Sequence, residues 1–232
     1  MYDPKEVVSN YALQYIENKK IIGIGTGRTV RKLIELIIKN NIINNKLYVT
    51  SSIDSELEIS KNGGTVISLY NGNIPDIYID SFDYLVPVND SYIMIKGGGG
   101  ALLREKLLAY FANERVFIGE QSKIKNSFPI KIPIEIVPVS LSYVINKLKS
   151  YKYNIEIRES NGKIGPIISD NGNIILDMSV NGKADLCELD SKLKDIPGII
   201  ETGIFCDKLY DEIIIGNNDG RIEIIKKSRN SN

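Results

Sequence analysis

The chain has 232 residues, enough for one large domain or two modest ones, and its 43% hydrophobic and 25% charged residues are ordinary for a soluble globular protein. Lys plus Arg and Asp plus Glu both number 29, and this zero net charge argues against a general basic surface for nucleic acid or anionic membrane. No apolar stretch is long enough to span a bilayer and the amino terminus has no signal-peptide pattern, so we expect a cytoplasmic protein.

The first 129 residues alternate between helix and strand patterns. Amphipathic or well-capped segments predict helices over 4–18, 30–39 and 53–61, and a further helix contains Glu105. Short apolar runs predict buried strands at 20–25, 47–50, 65–69, 77–79, 93–95 and 116–118. This alternation is typical of a Rossmann-like α/β fold, a parallel sheet with helices on both faces.

The pattern changes after Pro129. A helix near 140–150, strands at 153–158 and 173–176 and intervening turn signals predict a smaller α+β, ferredoxin-like domain over 130–204, which we expect to contact other subunits. The strand-like segments 203–205 and 212–215 indicate a return to the first sheet. We therefore predict a Rossmann-like catalytic domain over 1–129 that is completed by 205–232.

Four consecutive glycines follow Lys96 and precede the helix that contains Glu105. Glycine weakens strands and helices, so such a run suits a loop whose bare backbone N–H groups approach a ligand. The following helix begins with the positive end of its dipole at the same place. One short segment therefore offers a cation, an anion-binding loop and a carboxylate.

Polar groups fall at the predicted carboxyl ends of strands, where open parallel sheets bind their ligands. On their own, turn aspartates, surface lysines and exposed helical glutamates are more often structural or solvated than functional. Their convergence at one sheet edge favours a functional interpretation. The groups are Thr26 to Thr29, Thr50 to Ser52, Asp80 to Asp83, Lys96 to Gly100, and Lys123.

The chain contains no histidine, so proton transfer near neutral pH requires a carboxylate, lysine, tyrosine, cysteine or water. A Ser-His-Asp triad and any zinc site that uses histidine are thereby excluded. Cys187 and Cys206 do not form a metal-ligand pattern. A disulfide between them stays open as an alternative, although we expect them to pack as small apolar side chains in a reducing compartment.

A dinucleotide site is a weaker interpretation of the turn at Gly23 to Gly27. The spacing differs from Gly-x-Gly-x-x-Gly, and the second strand ends in Thr50-Ser51-Ser52 rather than in the acidic residue that would bind a ribose. Hydroxyl groups at this point suit a phosphate better than a ribose diol.

The chain resembles the A-type ribose-5-phosphate isomerase family over nearly its whole length. The most specific part of the resemblance is the segment from Ile95 to Lys106. The full set of matching segments, in chain order, is 23–29, 50–52, 78–83, 95–106, 122–123, 133–138, 169–173, 196–198 and 201–203.

The resemblance implies interconversion of D-ribose 5-phosphate and D-ribulose 5-phosphate in the non-oxidative pentose phosphate pathway. It implies no metal, no organic cofactor and a homodimer or homotetramer. It also identifies Glu105 as the catalytic base, with Asp80, Asp83 and Lys96 around the reacting carbons. The substrate-binding positions that it implies are Thr26, Gly27, Arg28, Thr29, Asp80, Ser81, Phe82, Asp83, Lys96, Gly97, Gly98, Gly99 and Lys123.

The residues also suit this chemistry independently of the resemblance. A carboxylate can move a proton between adjacent carbons through an enediolate, so we assign this shuttle to Glu105. Lys96 and the glycine N–H groups would polarise the oxygen, which is an electrostatic contribution of the kind that is often the largest in an enzyme. Asp80 would assist opening of the furanose ring, and Asp83 would orient a hydroxyl.

The chain departs from the family pattern at several positions. Arg28 replaces the usual serine, where it either contacts the phosphate directly or points to solvent. Ser81 and Phe82 replace glycine and alanine, which predicts a reshaped sugar pocket. Tyr84 replaces glutamate, and Glu120 replaces aspartate.

Two alternatives to an active isomerase stay open. The first is a non-catalytic sugar-phosphate sensor on a related fold, although the turn at residue 23 leaves no room before it for a helix-turn-helix segment. The second is a catalytically inactive paralogue, which the departures at Arg28, Phe82 and Tyr84 motivate. A ribulose-forming assay separates an active isomerase from both.

Overall fold

Six α-helices and sixteen β-strands are present in the computed structural model, which describes residues 2–89, 91–182 and 184–227. The helices are α1 (Pro4–Ile16), α2 (Arg28–Lys39), α3 (Ile53–Lys61), α4 (Leu102–Phe111), α5 (Leu141–Ser150) and α6 (Leu186–Lys194). The strands are β1 (Ile21–Ile24), β2 (Leu47–Thr50), β3 (Thr65–Val66), β4 (Ile77–Ser81), β5 (Tyr84–Val88), β6 (Ser91–Ile95), β7 (Arg115–Glu120), β8 (Ile130–Ile136), β9 (Asn154–Ile157), β10 (Glu159–Ser160), β11 (Lys163–Pro166), β12 (Ile174–Val180), β13 (Ile199–Thr202), β14 (Ile204–Phe205), β15 (Glu212–Gly216) and β16 (Ile222–Lys226).

The chain forms two compact units, neither of which is continuous in sequence. The first unit takes its described residues from 1–82, 104–124 and 207–232, and the second takes its described residues from 83–103 and 125–206. Each unit buries its own cluster of aliphatic side chains. The burial of apolar surface in these two clusters is the main favourable contribution to folding.

A seven-stranded sheet forms the centre of the first unit, in the order β16-β15-β7-β4-β1-β2-β3. Every neighbouring pair in it is parallel except β15 with β16. Helices α1 and α2 pack against this sheet and bury Val8, Ala12, Val30 and Leu33. The predicted α/β fold with a mainly parallel sheet is therefore confirmed, with β16 as an antiparallel edge strand.

The second unit contains a four-stranded antiparallel sheet in the order β13-β8-β12-β9. Along the chain its elements follow the order β8, α5, β9, β12, α6 and β13. This βαββαβ order with its antiparallel sheet is the ferredoxin-like arrangement. The prediction of a smaller ferredoxin-like domain is therefore confirmed as well.

Two predicted strands, at 93–95 and 203–205, were placed in the wrong sheet. The strand predicted at 93–95 was expected to join the parallel sheet, but β6 pairs antiparallel with β5 and β14 in a separate three-stranded sheet. The physical reason is the short connection from β5 to β6, which suits an antiparallel hairpin, whereas a parallel pair needs a long crossover. Strand β5 was not predicted; it contains Pro87, which its position at the edge of the three-stranded sheet tolerates.

The division into units also differs from the predicted domain boundaries at 129, 204 and 205. Residues 83–103 and 125–129, predicted for the first domain, belong to the second unit. The β5–β6 hairpin and the pairing of β6 with β14 hold this segment there, so 203–205 does not return to the first sheet. Strand β15 does return to it, beside β7. Residues 228–232, which the prediction included, lie outside the described residues.

The two cysteines are joined by a disulfide that links α6 to the residue after β14. Cys187 and Cys206 lie with their Cα atoms 6.0 Å apart. Both also pack against the core of the second unit, as expected, and the disulfide that the sequence left open is formed. Among the described residues, none of the helices has the length and apolarity to cross a bilayer.

Candidate active site

The turn between β1 and α2 is fitted closely around Asp80. Gly25 approaches this side chain so closely that a Cβ on Gly25 would lie 1.9 Å from Asp80 Cγ and Oδ1. The next residue, Thr26, donates its backbone N–H to Asp80 Oδ1 at 3.1 Å. Gly27 then caps α2 with a φ of 118°, a conformation that favours glycine. Glycine in this segment therefore allows the turn to lie close to the Asp80 carboxylate.

Both oxygens of Asp80 receive hydrogen bonds although the residue is fully buried. Oδ1 also accepts from the backbone N–H of Ser81 at 2.7 Å, and Oδ2 accepts from the Tyr78 hydroxyl. Burial, followed by the negative charges of Asp80 and Glu105, raises the pKa of Tyr78 well above its ordinary value. Tyr78 is therefore a neutral donor to Asp80. We did not predict its role, although its spacing of two from Asp80 on one strand was a usable signal.

The hydroxyl groups at the end of β2 hold the turn in place. Thr26 Oγ1 lies 2.9 Å from Ser51 Oγ and 2.5 Å from Ser52 Oγ. Ser51 also hydrogen bonds to Tyr78, and Ser52 caps α3 by accepting from the Ser55 backbone N–H. Because Ser51 and Ser52 are buried, their first role is to fix the position of Thr26.

The amino terminus of α2 lies at the predicted phosphate-binding residues. Arg28 is the first helical residue and is exposed, whereas Thr29 is 1% exposed. The cap residue Gly27 supplies no side-chain hydrogen bond to the first turn of the helix. Free N–H groups and the positive helix dipole at such a terminus suit an anion.

Glu105 lies in the first turn of α4 and is only 4% exposed. Its charge contributes to the raised pKa of Tyr78, which puts the Glu105 carboxylate within electrostatic range of the Tyr78–Asp80 pair. A buried carboxylate beside a polar cluster is a typical arrangement of a catalytic acid or base. In a chain without histidine this makes Glu105 the candidate base of the first unit.

Lys123 and Phe82 also meet in the first unit. Lys123 Nζ donates to the Phe82 carbonyl oxygen at 2.6 Å and lies 5.6 Å from the centre of its ring, within cation–π range. Phe82 is 1% exposed and occupies the space that a Cβ on Gly119 would need, since that atom would lie 2.4 Å from Phe82 Cζ. The unusual phenylalanine is therefore accommodated by a glycine on β7.

The remaining predicted residues belong to the second unit. Asp83 Oδ2 accepts the backbone N–H of Gly98 at 2.6 Å, and a Cβ on Gly98 would lie 2.6 Å from Asp83 Oδ1. Gly97 and Gly100 have φ values of 92° and 79°, so both need the freedom of glycine. The loop predicted from the glycine run is thus formed, and one of its N–H groups already binds a carboxylate.

Lys96 is 2% exposed at the end of β6. Its backbone N–H donates to the Gly203 carbonyl at 2.8 Å, and its Nζ lies 5.6 Å from the centre of the Phe205 ring. A Cβ on Gly203 would lie 2.2 Å from the Lys96 carbonyl oxygen, so glycine is needed there. The prediction that Lys96 ends a strand is right, but that strand belongs to the three-stranded antiparallel sheet.

Two other departures from the family pattern have local structural roles. Tyr84 packs against the core of the second unit, and its ring centre is 5.1 Å from Lys125 Nζ. Glu120 forms a 3.0 Å ion pair with Lys5. Within the part of the chain that the structure describes, no group of three or more His, Cys, Asp or Glu side chains is arranged to hold a metal ion.

Comparison with known proteins gives one consistent family. A family model described as ribose 5-phosphate isomerase A (phosphoriboisomerase A) matches residues 47–220. A ribose-5-phosphate isomerase A from Methanococcus vannielii is 35% identical over 227 residues, covering 95% of this chain and 91% of the relative. One from Buchnera aphidicola subsp. Acyrthosiphon pisum is 36% identical, covering 94% of each chain.

Solved structures give the same result. Ribose 5-phosphate isomerase A from Methanocaldococcus jannaschii superposes with a TM-score of 0.88 at 30% identity, covering 97% of this chain and 99% of that one. A D-ribose-5-phosphate isomerase in complex with phospho-erythronic acid superposes with a TM-score of 0.87 at 30% identity, covering 96% and 97%.

Proposed function

The chain belongs to the ribose 5-phosphate isomerase A family and interconverts D-ribose 5-phosphate and D-ribulose 5-phosphate, and we propose that Glu105 moves the proton in this reaction. The isomerisation transfers a proton between C2 and C1 of the open-chain sugar and passes through an enediolate. A single carboxylate on one side of these carbons can remove the proton from one and return it to the other.

The burial of Glu105 within electrostatic range of the Tyr78–Asp80 pair is the observation that carries this proposal. A buried carboxylate is well suited to take a proton from carbon, because fixed protein groups surround it in place of solvent that would have to reorganise during the reaction. The absence of histidine from the chain leaves a carboxylate as the natural choice.

Lys96 and the glycine loop are proposed to stabilise the enediolate oxygens. Lys96 is almost fully buried, and the loop presents backbone N–H groups, of which that of Gly98 is bound by Asp83. Preorganised donors of this kind act on the charge that develops in the transition state. A structural relative binds phospho-erythronic acid, whose carboxylate has the charge and paired oxygens of an enediolate, and this supports an enediolate as the species that the site stabilises.

The two aspartates receive different proposed roles. Asp80 assists opening of the furanose ring. It accepts the proton of the anomeric hydroxyl as the bond between C1 and the ring oxygen breaks, and it returns that proton to the ring oxygen, which becomes the C4 hydroxyl. Asp83 orients a hydroxyl of the open chain, and its contact with Gly98 fixes its position against the loop. Placement of the reacting atoms by such contacts accounts for a large part of enzymatic rate enhancement.

The phosphate is proposed to bind at the amino terminus of α2, at Thr26, Gly27, Arg28 and Thr29, where helix N–H groups and the exposed guanidinium are available. Lys123 adds a second cation, and Ser81 and Phe82, which are both buried, support the residues around them. Because Phe82 is packed against Gly119, we propose that its main effect is on the position of Lys123.

Several broader properties stay predictions. We propose a homodimer or homotetramer, a cytoplasmic location and a place in the non-oxidative pentose phosphate pathway, with a sugar phosphate as the small-molecule partner. We also expect no nucleic-acid or membrane partner and no metal or organic cofactor in the reaction.

The test of Glu105 is a ribose 5-phosphate to ribulose 5-phosphate assay on the Glu105→Gln variant. The amide keeps the shape of the side chain but cannot accept the proton, so kcat should fall by about 10³-fold or more. Glu188→Gln is the matched control, because Glu188 is exposed and forms an ion pair with Lys192 on the surface of α6. Exchange of the substrate C2 proton with D2O, followed by NMR, should be lost with the same variant.

The possible outcomes separate the alternatives. Near wild-type turnover in Glu105→Gln would overturn the assignment of the base. Turnover of ribose 5-phosphate by the wild-type protein is the positive control, and it separates the isomerase from the sensor and the inactive paralogue that the sequence alone left open.

A further inference from the structure

We propose that Arg158 is a positioning residue for the isomerisation, because it holds the glycine loop in the shape in which the loop acts. Arg158 Nη1 donates to the carbonyl oxygens of both Gly97 and Gly98, at 2.7 and 3.1 Å. Its Nε donates to Asp177 Oδ2 at 2.8 Å, and its Nη2 donates to Asp177 Oδ1. One guanidinium therefore joins a carboxylate on β12 to two successive carbonyls of the loop.

The contact with the carbonyls determines where the loop N–H groups point. In a trans peptide the C=O and N–H bonds point in opposite directions. Because Arg158 holds the carbonyls of Gly97 and Gly98, the N–H groups of Gly98 and Gly99 are directed away from it. The Gly98 N–H donates to Asp83. Asp83, which is a proposed substrate-binding residue, therefore lies on the side of the loop opposite Arg158.

Hydrogen bonding at a carbonyl also strengthens the N–H of the same peptide as a donor, because it polarises the amide group. A charged donor such as guanidinium does so more effectively than a neutral one. Arg158 is thus expected to improve both the direction and the strength of two loop N–H groups, that of Gly98 towards Asp83 and that of Gly99 towards a developing oxyanion. It performs this role through the loop and need not touch the substrate itself.

The arrangement requires arginine rather than another cation. Arg158 uses a planar set of donors to bind the carboxylate in a bidentate manner while Nη1 reaches the loop, whereas a lysine ammonium has no such fork. The side chains of Arg158 and Asp177 are 14% and 16% exposed, so solvent weakens the pair little. Asp177 in turn fixes the plane of the guanidinium.

The inference rests on the proposed role of the glycine loop in stabilising the enediolate. Loss of Arg158 should then act mainly in the transition state, where the oxyanion develops, rather than on substrate binding. We therefore expect kcat to fall by about tenfold or more in Arg158→Lys, with KM changed by less than about threefold.

The experiment compares Arg158→Lys, Asp177→Asn and Arg158→Ala with Lys131→Gln. The last is the matched control, since Lys131 forms an exposed ion pair with Glu156 in the same four-stranded sheet. Circular dichroism and urea unfolding identify variants that do not fold. Added methylguanidinium should restore part of the kcat of Arg158→Ala and none of that of Arg158→Lys, in which the site is filled.

The inference is overturned if folded Arg158→Lys and Asp177→Asn both keep wild-type kcat, or if only KM changes. It is also overturned if methylguanidinium gives no rescue of folded Arg158→Ala. If Arg158→Lys does not fold, the inference is tested by the kcat of Asp177→Asn and by the methylguanidinium rescue of Arg158→Ala. Glu105→Gln is measured in parallel. Its kcat tests the assignment of the base and does not depend on the glycine loop, so a failure of that assignment can be distinguished from a failure of this inference.

Discussion

The Tyr78 hydroxyl donates a hydrogen bond to Asp80 Oδ2, and the two residues lie two positions apart on β4, both fully buried. The other carboxylate oxygen accepts backbone N–H groups from Thr26 and Ser81. Asp80 is thus held by three donors from two segments of chain. Its orientation depends on a tyrosine that need not touch the substrate.

Tyr78→Phe should lower kcat/KM by about tenfold, the equivalent of ~1.4 kcal/mol, because a buried carboxylate oxygen loses its side-chain donor. Tyr15→Phe is the matched control, since the Tyr15 hydroxyl likewise donates to a carboxylate, that of Glu212, at 2.6 Å in the same unit. It should affect stability but not kcat/KM. Equal kinetic effects of the two substitutions would contradict a specific role for Tyr78.

Gly25→Ala should reduce kcat by about 10²-fold or more, because the new methyl group would occupy the position of the Asp80 carboxylate. Steady-state kinetics with ribose 5-phosphate measures the effect. Gly162→Ala is the control, because nothing lies within 4 Å of a Cβ at that position. An active Gly25→Ala variant would mean that Asp80 can move without loss of catalysis.

Gly119→Ala should destabilise the protein by about 1–3 kcal/mol, because the added methyl group meets the ring of Phe82. In a Phe82→Ala background the same substitution should cost almost nothing, since the ring is gone. Urea unfolding of the wild type, both single variants and the double variant gives the coupling energy of the pair. Additive effects would show that the ring and the glycine do not depend on one another.

Stability should fall in alkaline solution partly because of Tyr48, whose pKa is raised to about 12 by burial. A raised pKa in the folded state means that the unfolded state loses its proton first, above about pH 10. The stabilising contribution is complete below that pH and is lost as the pH rises towards 12.

Between about pH 8 and about pH 11 this ionisation should remove ~1.4 kcal/mol from the free energy of unfolding. Tyr48→Phe keeps the ring and cannot ionise, so its stability should decline less over the same range. Urea unfolding at several pH values compares the two proteins. Parallel declines would exclude Tyr48 as a contributor.

Elements with strong local patterns could be predicted from the sequence. Strand β2 was predicted at its observed bounds, and α3 likewise, because the hydroxyl-rich start and the Asn62-Gly63-Gly64 stop are local signals. The sheet to which β6 belongs could not be predicted, because pairing with β14 joins residues more than a hundred positions apart. A short apolar run does not indicate whether its strand will pair within the parallel sheet or with β5 and β14.

The candidate site shows the same limit. Lys96, Asp80 and Glu105 stand out by residue type and position. The partners that orient them are distant in sequence, as Gly203 is from Lys96 and Arg158 is from Gly97. The burial of Phe82 against Gly119 also depends on the pairing of β4 with β7, which no local pattern reveals.

The order of the segments along the chain has a consequence for folding during synthesis. Every segment of the second unit precedes residue 207, whereas the first unit takes β15 and β16 from the chain after that point. The ribosome therefore releases the complete second unit while β7 still lacks its neighbour β15. Since domains generally fold as units during synthesis, the smaller unit can reach its final structure first. The seven-stranded sheet cannot be completed until β15 and β16 have been synthesised, and until then β7 is an exposed edge.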